Sequence, residues 1–216
     1  MRPRDLSEFA GQEHILGPGK LLRRSIETDR FMSLILYGPP GAGKTALAHL
    51  IAEKSKAHFI ALNAVTAGVA DIRRVAQEAA EERAQSGKRA LLFIDEIHRF
   101  TRVQQDALLP DVEQGTITLI GASTQNPFFA IIPALSSRSQ IFEFKPLREE
   151  DVRSILRRAL ADRERGFGAI AVTLTDEARE FIVARSGGDA RRALNALELG
   201  VLSTQPGLDG VILYDL

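Results

Sequence analysis

Eight consecutive residues, Gly38-Pro39-Pro40-Gly41-Ala42-Gly43-Lys44-Thr45, fit the pattern G-x-x-x-x-G-K-[ST]. The chemistry this pattern performs is the holding of phosphate. Glycines let successive backbone N–H groups curl inward around an anion. A helix opening at Lys44 adds the partial positive charge of its first turn. The Lys44 ammonium reaches the β- and γ-phosphates of a nucleotide as a point charge, and the Thr45 hydroxyl is suited to ligate Mg²⁺. At average composition the four fixed positions arise by chance in roughly 1% of chains this long, so a match with the right flanks is not put down to chance.

A second constellation supplies acids. Leu91-Leu92-Phe93-Ile94-Asp95-Glu96 is an apolar run that ends in two carboxylates. At the carboxyl end of a parallel strand both would face a ligand crevice. Asp95 can hold the Mg²⁺ shell there. Glu96 can orient and activate a water toward the γ-phosphate. Taken alone, such a run also describes a strand ending in a solvated acidic turn. The phosphate loop decides between the two. ATP and Mg²⁺ are therefore the expected cofactors and ATP hydrolysis the expected reaction. A small-molecule kinase needs no water activator at this place, and no acceptor-binding segment follows the second strand.

These groups need a scaffold, and the chain spells one. Leu34–Tyr37, His58–Leu62, Ala90–Ile94 and Thr116–Ala122 are short apolar or β-branched runs bounded by turn residues, as expected of strands. Helical spacing occupies Lys20–Glu27, Thr45–Ser55, Ala70–Gln85 and Thr101–Val112. Alternating strands and helices predict an α/β fold, a parallel sheet flanked by helices on both faces. Beyond Arg148 the strand signal fades. Glu149–Ala161, Asp176–Ser186 and Ala190–Leu199 are helical, and a boundary near Pro146 divides a nucleotide-binding domain at 1–146 from a small all-α lid at 147–216.

The totals set limits. The chain has 216 residues, with 28 basic and 28 acidic side chains, so no chain-wide positive field attracts nucleic acid. It has no Cys, which excludes a disulfide scaffold and a thiolate metal site. His14, His49, His58 and His98 show no metal-ligand spacing. The longest apolar stretch, Pro127 to Leu135, is too short to span a bilayer. The start, Met-Arg-Pro-Arg-Asp, lacks the apolar core of a signal peptide, and a cytoplasmic, nucleoid-associated location is expected.

GPPGAGKT and LLFIDEIHRF resemble the AAA+ superfamily of P-loop ATPases. RPRDLSEFAGQEHILGPGKLLRRSIE, HRFTRVQQDALLPDVEQGTITLIGASTQNPFF, ALSSRSQIFEF and GGDARRALNALE resemble, more narrowly, the replication-associated recombination protein A family, which includes the WRN-helicase-interacting ATPase. The resemblance covers most of residues 2–200 and implies further roles. Thr124 matches the first sensor, beside the attacking water, with Asn126 as the competing choice. Gln125 stands where the family usually carries Glu. Arg138 matches the arginine finger that serves a neighbouring subunit's ATP. Arg191 matches the second sensor. Arg2 to Leu16 resembles the adenine-contacting region, with His14, Ile15 and Leu16 as base contacts. The helix at Val69–Arg74 lies where clamp-loader relatives grip DNA, which makes Arg73, Arg74 and Arg102 candidate phosphate contacts.

As a whole, the resemblance implies a DNA-dependent ATPase of replication-fork maintenance and recombination, acting on single-strand–double-strand junctions or forks by structure rather than sequence. The implied partners are copies of the same chain and a single-strand-binding protein. The resemblance also implies a C-terminal assembly domain in the family, and the expectation from the sequence is a chain without it. The alternatives are a clamp-loader or branch-migration motor subunit, and a nucleotide-gated scaffold with slow hydrolysis.

Overall fold

The computed structural model describes residues 1–55 and 57–215. In chain order the elements begin with α1 (Glu13–Leu16), α2 (Leu21–Glu27), β1 (Ser33–Tyr37), α3 (Lys44–Lys54), β2 (His58–Asn63), α4 (Val69–Ser86) and β3 (Ala90–Asp95). A 3₁₀ turn at Ile97–Arg99 leads to α5 (Arg102–Glu113), β4 (Ile117–Ser123), α6 (Pro127–Ala130), α7 (Pro133–Ser136) and β5 (Ser139–Glu143). The rest is α8 (Glu149–Ala161), β6 (Val172–Leu174), α9 (Asp176–Ser186), α10 (Ala190–Ser203) and β7 (Ile212–Tyr214).

The chain divides into two compact units. The larger comprises Glu13–Gly38 and Lys44–Phe144, and the other comprises Met1–Gln12, Pro39–Gly43 and Lys145–Leu216. The larger unit holds a five-stranded sheet in the order β2-β3-β4-β1-β5, every neighbouring pair parallel. A parallel sheet needs crossovers, and the helices supply them. β1, β3 and β4 are central and almost fully buried, which is why they read as continuous apolar runs. One face packs on α4 and α5 through Ile72, Val75, Leu92, Ile94, Leu108 and Leu119. α3 buries Leu47, Leu50 and Ile51.

In the second unit, α8, α9 and α10 enclose Val152, Leu156, Ile182, Ala193 and Leu197. This stretch is not wholly helical. β6 and β7 pair in parallel, Val172 opposite Ile212 and Leu174 opposite Tyr214. Each is three residues long, too short for alternation to register as a strand in the sequence. The N-terminal residues belong to the same unit. Arg165 bridges Glu8 at 3.1 Å and Asp162 at 2.5 Å. Backbone and Arg165 hydrogen bonds to the Asp162 carboxylate pull its pKa from 3.8 down to about 2.

Candidate functional site

The site begins with β1, which delivers the chain to Gly38. The Gly38 N–H donates to the Ser123 carbonyl on the neighbouring strand, 3.1 Å away. The loop then turns through positive φ at Gly38 (144°), Gly41 (68°) and Gly43 (102°), values that side chains resist. Turns of this kind are the ones that let successive N–H groups curl around an anion. A Cβ on Gly38 would collide with the Phe144 backbone, and one on Gly43 would press on the Phe9 ring at 2.7 Å. Lys44 then opens α3. Its side chain is buried and Nζ donates to the Gly38 carbonyl at 2.7 Å, so the ammonium folds back over the loop. Thr45 follows, partly exposed on the first turn of α3.

The parallel register brings the acids to the same end of the sheet. β1 and β4 align Tyr37 with Ser123, β3 and β4 align Ile94 with Gly121, and β2 and β3 align Asn63 with Asp95. The carboxyl ends of β1, β4 and β3 therefore lie side by side, carrying Gly38, Thr124 and Asp95–Glu96. Asp95 and Glu96 are both partly buried. Glu96 sits in the left-handed region at φ 56°, an uncommon conformation for a residue with a side chain. Its carboxylate accepts from Arg99 Nε at 2.6 Å.

His98 stands behind the acids. The Ser123 hydroxyl donates to the Gln125 carbonyl at 2.7 Å and accepts from the Gln125 N–H at 3.0 Å. The remaining bond, 3.2 Å to His98 Nδ1, then requires the ring to donate from that nitrogen. Burial pushes the His98 imidazole below its ordinary pKa. Lys44 and Arg99 push the same way, against Glu96 and Asp95. The imidazole thus braces the turn that carries Thr124. Thr124 is exposed just past β4, whereas the Asn126 side chain caps α6, accepting from the Phe128 N–H at 3.0 Å.

Arg138 is drawn elsewhere. Its guanidinium pairs with Glu113 at 2.8 Å and donates to the Ala134 carbonyl at 2.9 Å. Neither partner belongs to the phosphate loop or the acid strand. His14 Nε2 meets the Glu143 carbonyl at 2.8 Å, while Ile15 and Leu16 are buried. Arg73, Arg74 and Arg102 are exposed, and Arg74 is within 3.6 Å of Asp71 and 3.9 Å of Glu78.

In the second unit, Arg191 is exposed on the first turn of α10. The residue before it donates its N–H to the Gly41 carbonyl at 3.2 Å. Asp189 caps α10, accepting from the Arg191 N–H at 2.8 Å, and a Cβ on Gly41 would fall inside its carboxylate. Gln12 is buried at φ 60° and spends its amide on the Ala42 carbonyl at 3.3 Å and on both backbone groups of Lys145. Sequence reasoning missed Gln12 and Asp189. Each lies inside a family-resembling string, GQEHILG and GGDARRALN, and that was the signal available. Among the described residues no cluster of His, Cys, Asp and Glu is arranged to hold a metal by itself.

The comparisons with known proteins agree with this geometry. The chain is 47% identical over 199 residues to replication-associated recombination protein A of Escherichia coli, covering 92% of this chain and 44% of that protein. It is 46% identical over 212 residues to the Bacillus subtilis protein of the same name, covering 98% and 49%. ATPase WRNIP1 of Dictyostelium discoideum is 40% identical, with 93% of this chain and 23% of that protein covered. The chain thus spans less than half the length of these relatives. Among solved structures, the Thermotoga maritima RuvB Holliday junction branch migration motor superposes with a TM-score of 0.73 at 28% identity. That match covers 94% of this chain and 65% of that one. The model of the AAA family, ATPases associated with various cellular activities, matches residues 34–147. That is more than half of the 216 residues, and it includes the phosphate loop and the acid strand: the chain belongs to the AAA family of ATPases.

Proposed function

We propose that this chain binds ATP with Mg²⁺ at the Gly38–Thr45 loop and hydrolyses it with Glu96, in the service of DNA recombination and replication-fork maintenance. The observation that carries the reading is the side-by-side carboxyl ends of β1, β4 and β3, from which the loop leading to Lys44, then Thr124 and the Asp95–Glu96 pair, emerge at one end of the sheet. The donor set fits the cofactor. A hydroxyl at Thr45 and a carboxylate at Asp95 are the hard oxygen ligands that Mg²⁺ takes, and the ion would neutralise charge between the phosphates. Pro39, Pro40 and Ala42 complete the loop backbone around the phosphates. Lys44 holds the β- and γ-phosphates, Glu96 orients the water, and Thr124 bonds beside it. Ile15 and Leu16 flank the base.

Two further roles belong to the proposal. Arg191 is the second sensor for the nucleotide, and the Ala190–Gly41 hydrogen bond supports this by tying α10 to the loop. Arg138 serves as a finger for the ATP of a second copy. Its pairing with Glu113, outside the phosphate loop and the acid strand, supports that reading, because a finger that acts in trans turns away from its own site. The domains are a nucleotide-binding module at 1–146 and a lid at 147–216. DNA junctions are the proposed partner, through Arg73, Arg74 and Arg102, with a single-strand-binding protein beside them. No described helix is long and apolar enough to cross a membrane.

A branch-migration or clamp-loading motor is the second reading, supported by the likeness to RuvB. ATP turnover measured against protein concentration, with and without junction DNA, tests the proposal. A rate per chain that rises with both supports a finger acting between copies on DNA. A flat, DNA-indifferent rate removes the finger and DNA from the account.

A further inference from the structure

Gln105 is the polar residue on the inner side of α5, and it is 2% exposed. Its amide is fully used. Nε2 donates to the Phe100 carbonyl at 3.0 Å and to the Ala130 carbonyl at 3.0 Å, while Oε1 accepts from the Ile132 N–H at 2.8 Å. One orientation alone satisfies these contacts, since the two carbonyls need the NH₂ group and the N–H needs the oxygen. The groups it joins come from two separate stretches. Phe100 ends the 3₁₀ turn that follows Glu96. Ala130 and Ile132 end α6 and cap α7.

α7 has four residues, too few to hold a helix by its own hydrogen bonds. It needs an outside anchor, and its capping residue, Ile132, is the one Gln105 binds. Arg138 in turn leans on α7 through the Ala134 carbonyl. A continuous path runs from the turn beyond Glu96, through Gln105, to Ile132, α7 and Arg138. Gln105 itself is fixed in place. α5 is capped by Thr101 and Gln104, whose side chain accepts from the Thr101 N–H at 2.8 Å, and the Gln105 N–H closes on the Thr101 carbonyl at 3.0 Å.

We infer that Gln105 is a positioning residue that sets where Arg138 is presented to a neighbouring copy. The inference rests on the finger reading above. Filling space does not explain an amide here. An apolar side chain would fill the same volume, as Leu108 does one turn on, and would leave two carbonyls and one N–H, buried or partly buried, without this partner.

A complementation assay tests it with the full chain. A Lys44→Ala chain lacks its own ATP site and keeps the finger; an Arg138→Ala chain keeps the site and lacks the finger. Mixing the two restores hydrolysis if the finger acts between copies. Gln105→Met is then placed on the Lys44→Ala chain. The site of that chain is already disabled, so any further loss lies in what it presents to its neighbour. The restored rate is expected to fall by about tenfold to a hundredfold, the scale of an ångström's misplacement, with the ATP affinity of the Arg138→Ala chain unchanged. Val103→Ala, on the exposed side of α5, leaves the rate intact. If Gln105→Met does not fold, Gln105→Asn, with the amide on a shorter stem, takes its place. Full restoration by a folded Gln105 variant overturns the inference. No restoration by the starting pair overturns the finger reading and the inference with it.

Discussion

Replacing Gly41 by Ala reaches the phosphate loop through one added carbon. Two costs follow from the geometry. At φ 68° a Cβ lies in the left-handed region, which costs roughly 1–2 kcal/mol. The same Cβ would overlap the Asp189 carboxylate, which must swing away from the N–H groups it caps. A lost cap costs about 1 kcal/mol. The sum is about 2–3 kcal/mol, or roughly 30- to 140-fold in affinity at 1.4 kcal/mol per decade. Phosphate binding needs this loop backbone, so the distortion is felt in affinity as well as in stability. Titration with a fluorescent ATP analogue is expected to show that loss, with a lowered melting temperature beside it. Repeating Gly41→Ala in an Asp189→Ala background separates the two costs. There the added penalty shrinks to the backbone part alone, about 1–2 kcal/mol. Wild-type affinity for Gly41→Ala refutes the reasoning. An unchanged penalty without Asp189 refutes the contact.

Other outcomes follow from the same geometry. The Glu96–Arg99 pair is exposed at Arg99 and is worth at most about 1 kcal/mol, so Arg99→Ala leaves the melting temperature nearly unchanged. It frees the Glu96 carboxylate, and the basal ATP turnover is expected to rise; a tenfold fall would mean that Arg99 aims Glu96 productively. Acid acts on the second unit through Asp162. Its folded pKa is depressed, from 3.8 to about 2, so its contribution is complete above the unfolded value and is lost as pH falls through the folded one. Chemical denaturation at pH 4 and pH 2 should show a smaller loss for Asp162→Asn than for the parent chain. Equal losses would sink that assignment.

The parts of the fold that are legible in sequence are those specified locally. β1, β3 and β4 are buried on both faces, so their apolar runs stand out. The phosphate loop is one unbroken string whose glycines declare their own turns. β5 escaped the pattern because it is an edge strand, half-buried, and its Ser-Gln-Ile-Phe-Glu sequence mixes both kinds of residue. Gln105, Gln12 and Asp189 escaped for another reason. Each matters through a partner far away in sequence: Ile132, Ala42 and Gly41. No window of neighbouring residues holds that information. The site divides the same way. Lys44, Asp95 and Glu96 follow from spacing, whereas the hold of Arg99 on Glu96 and of Glu113 on Arg138 exists only in the folded chain.

The central claim is that Glu96 activates water while Lys44 and the loop hold the nucleotide. Glu96→Gln removes the base and keeps the shape. ATP binding and hydrolysis measured on the same preparation test it most directly. The account predicts wild-type ATP affinity with turnover reduced about 10²- to 10⁴-fold. Turnover at the wild-type rate would contradict it.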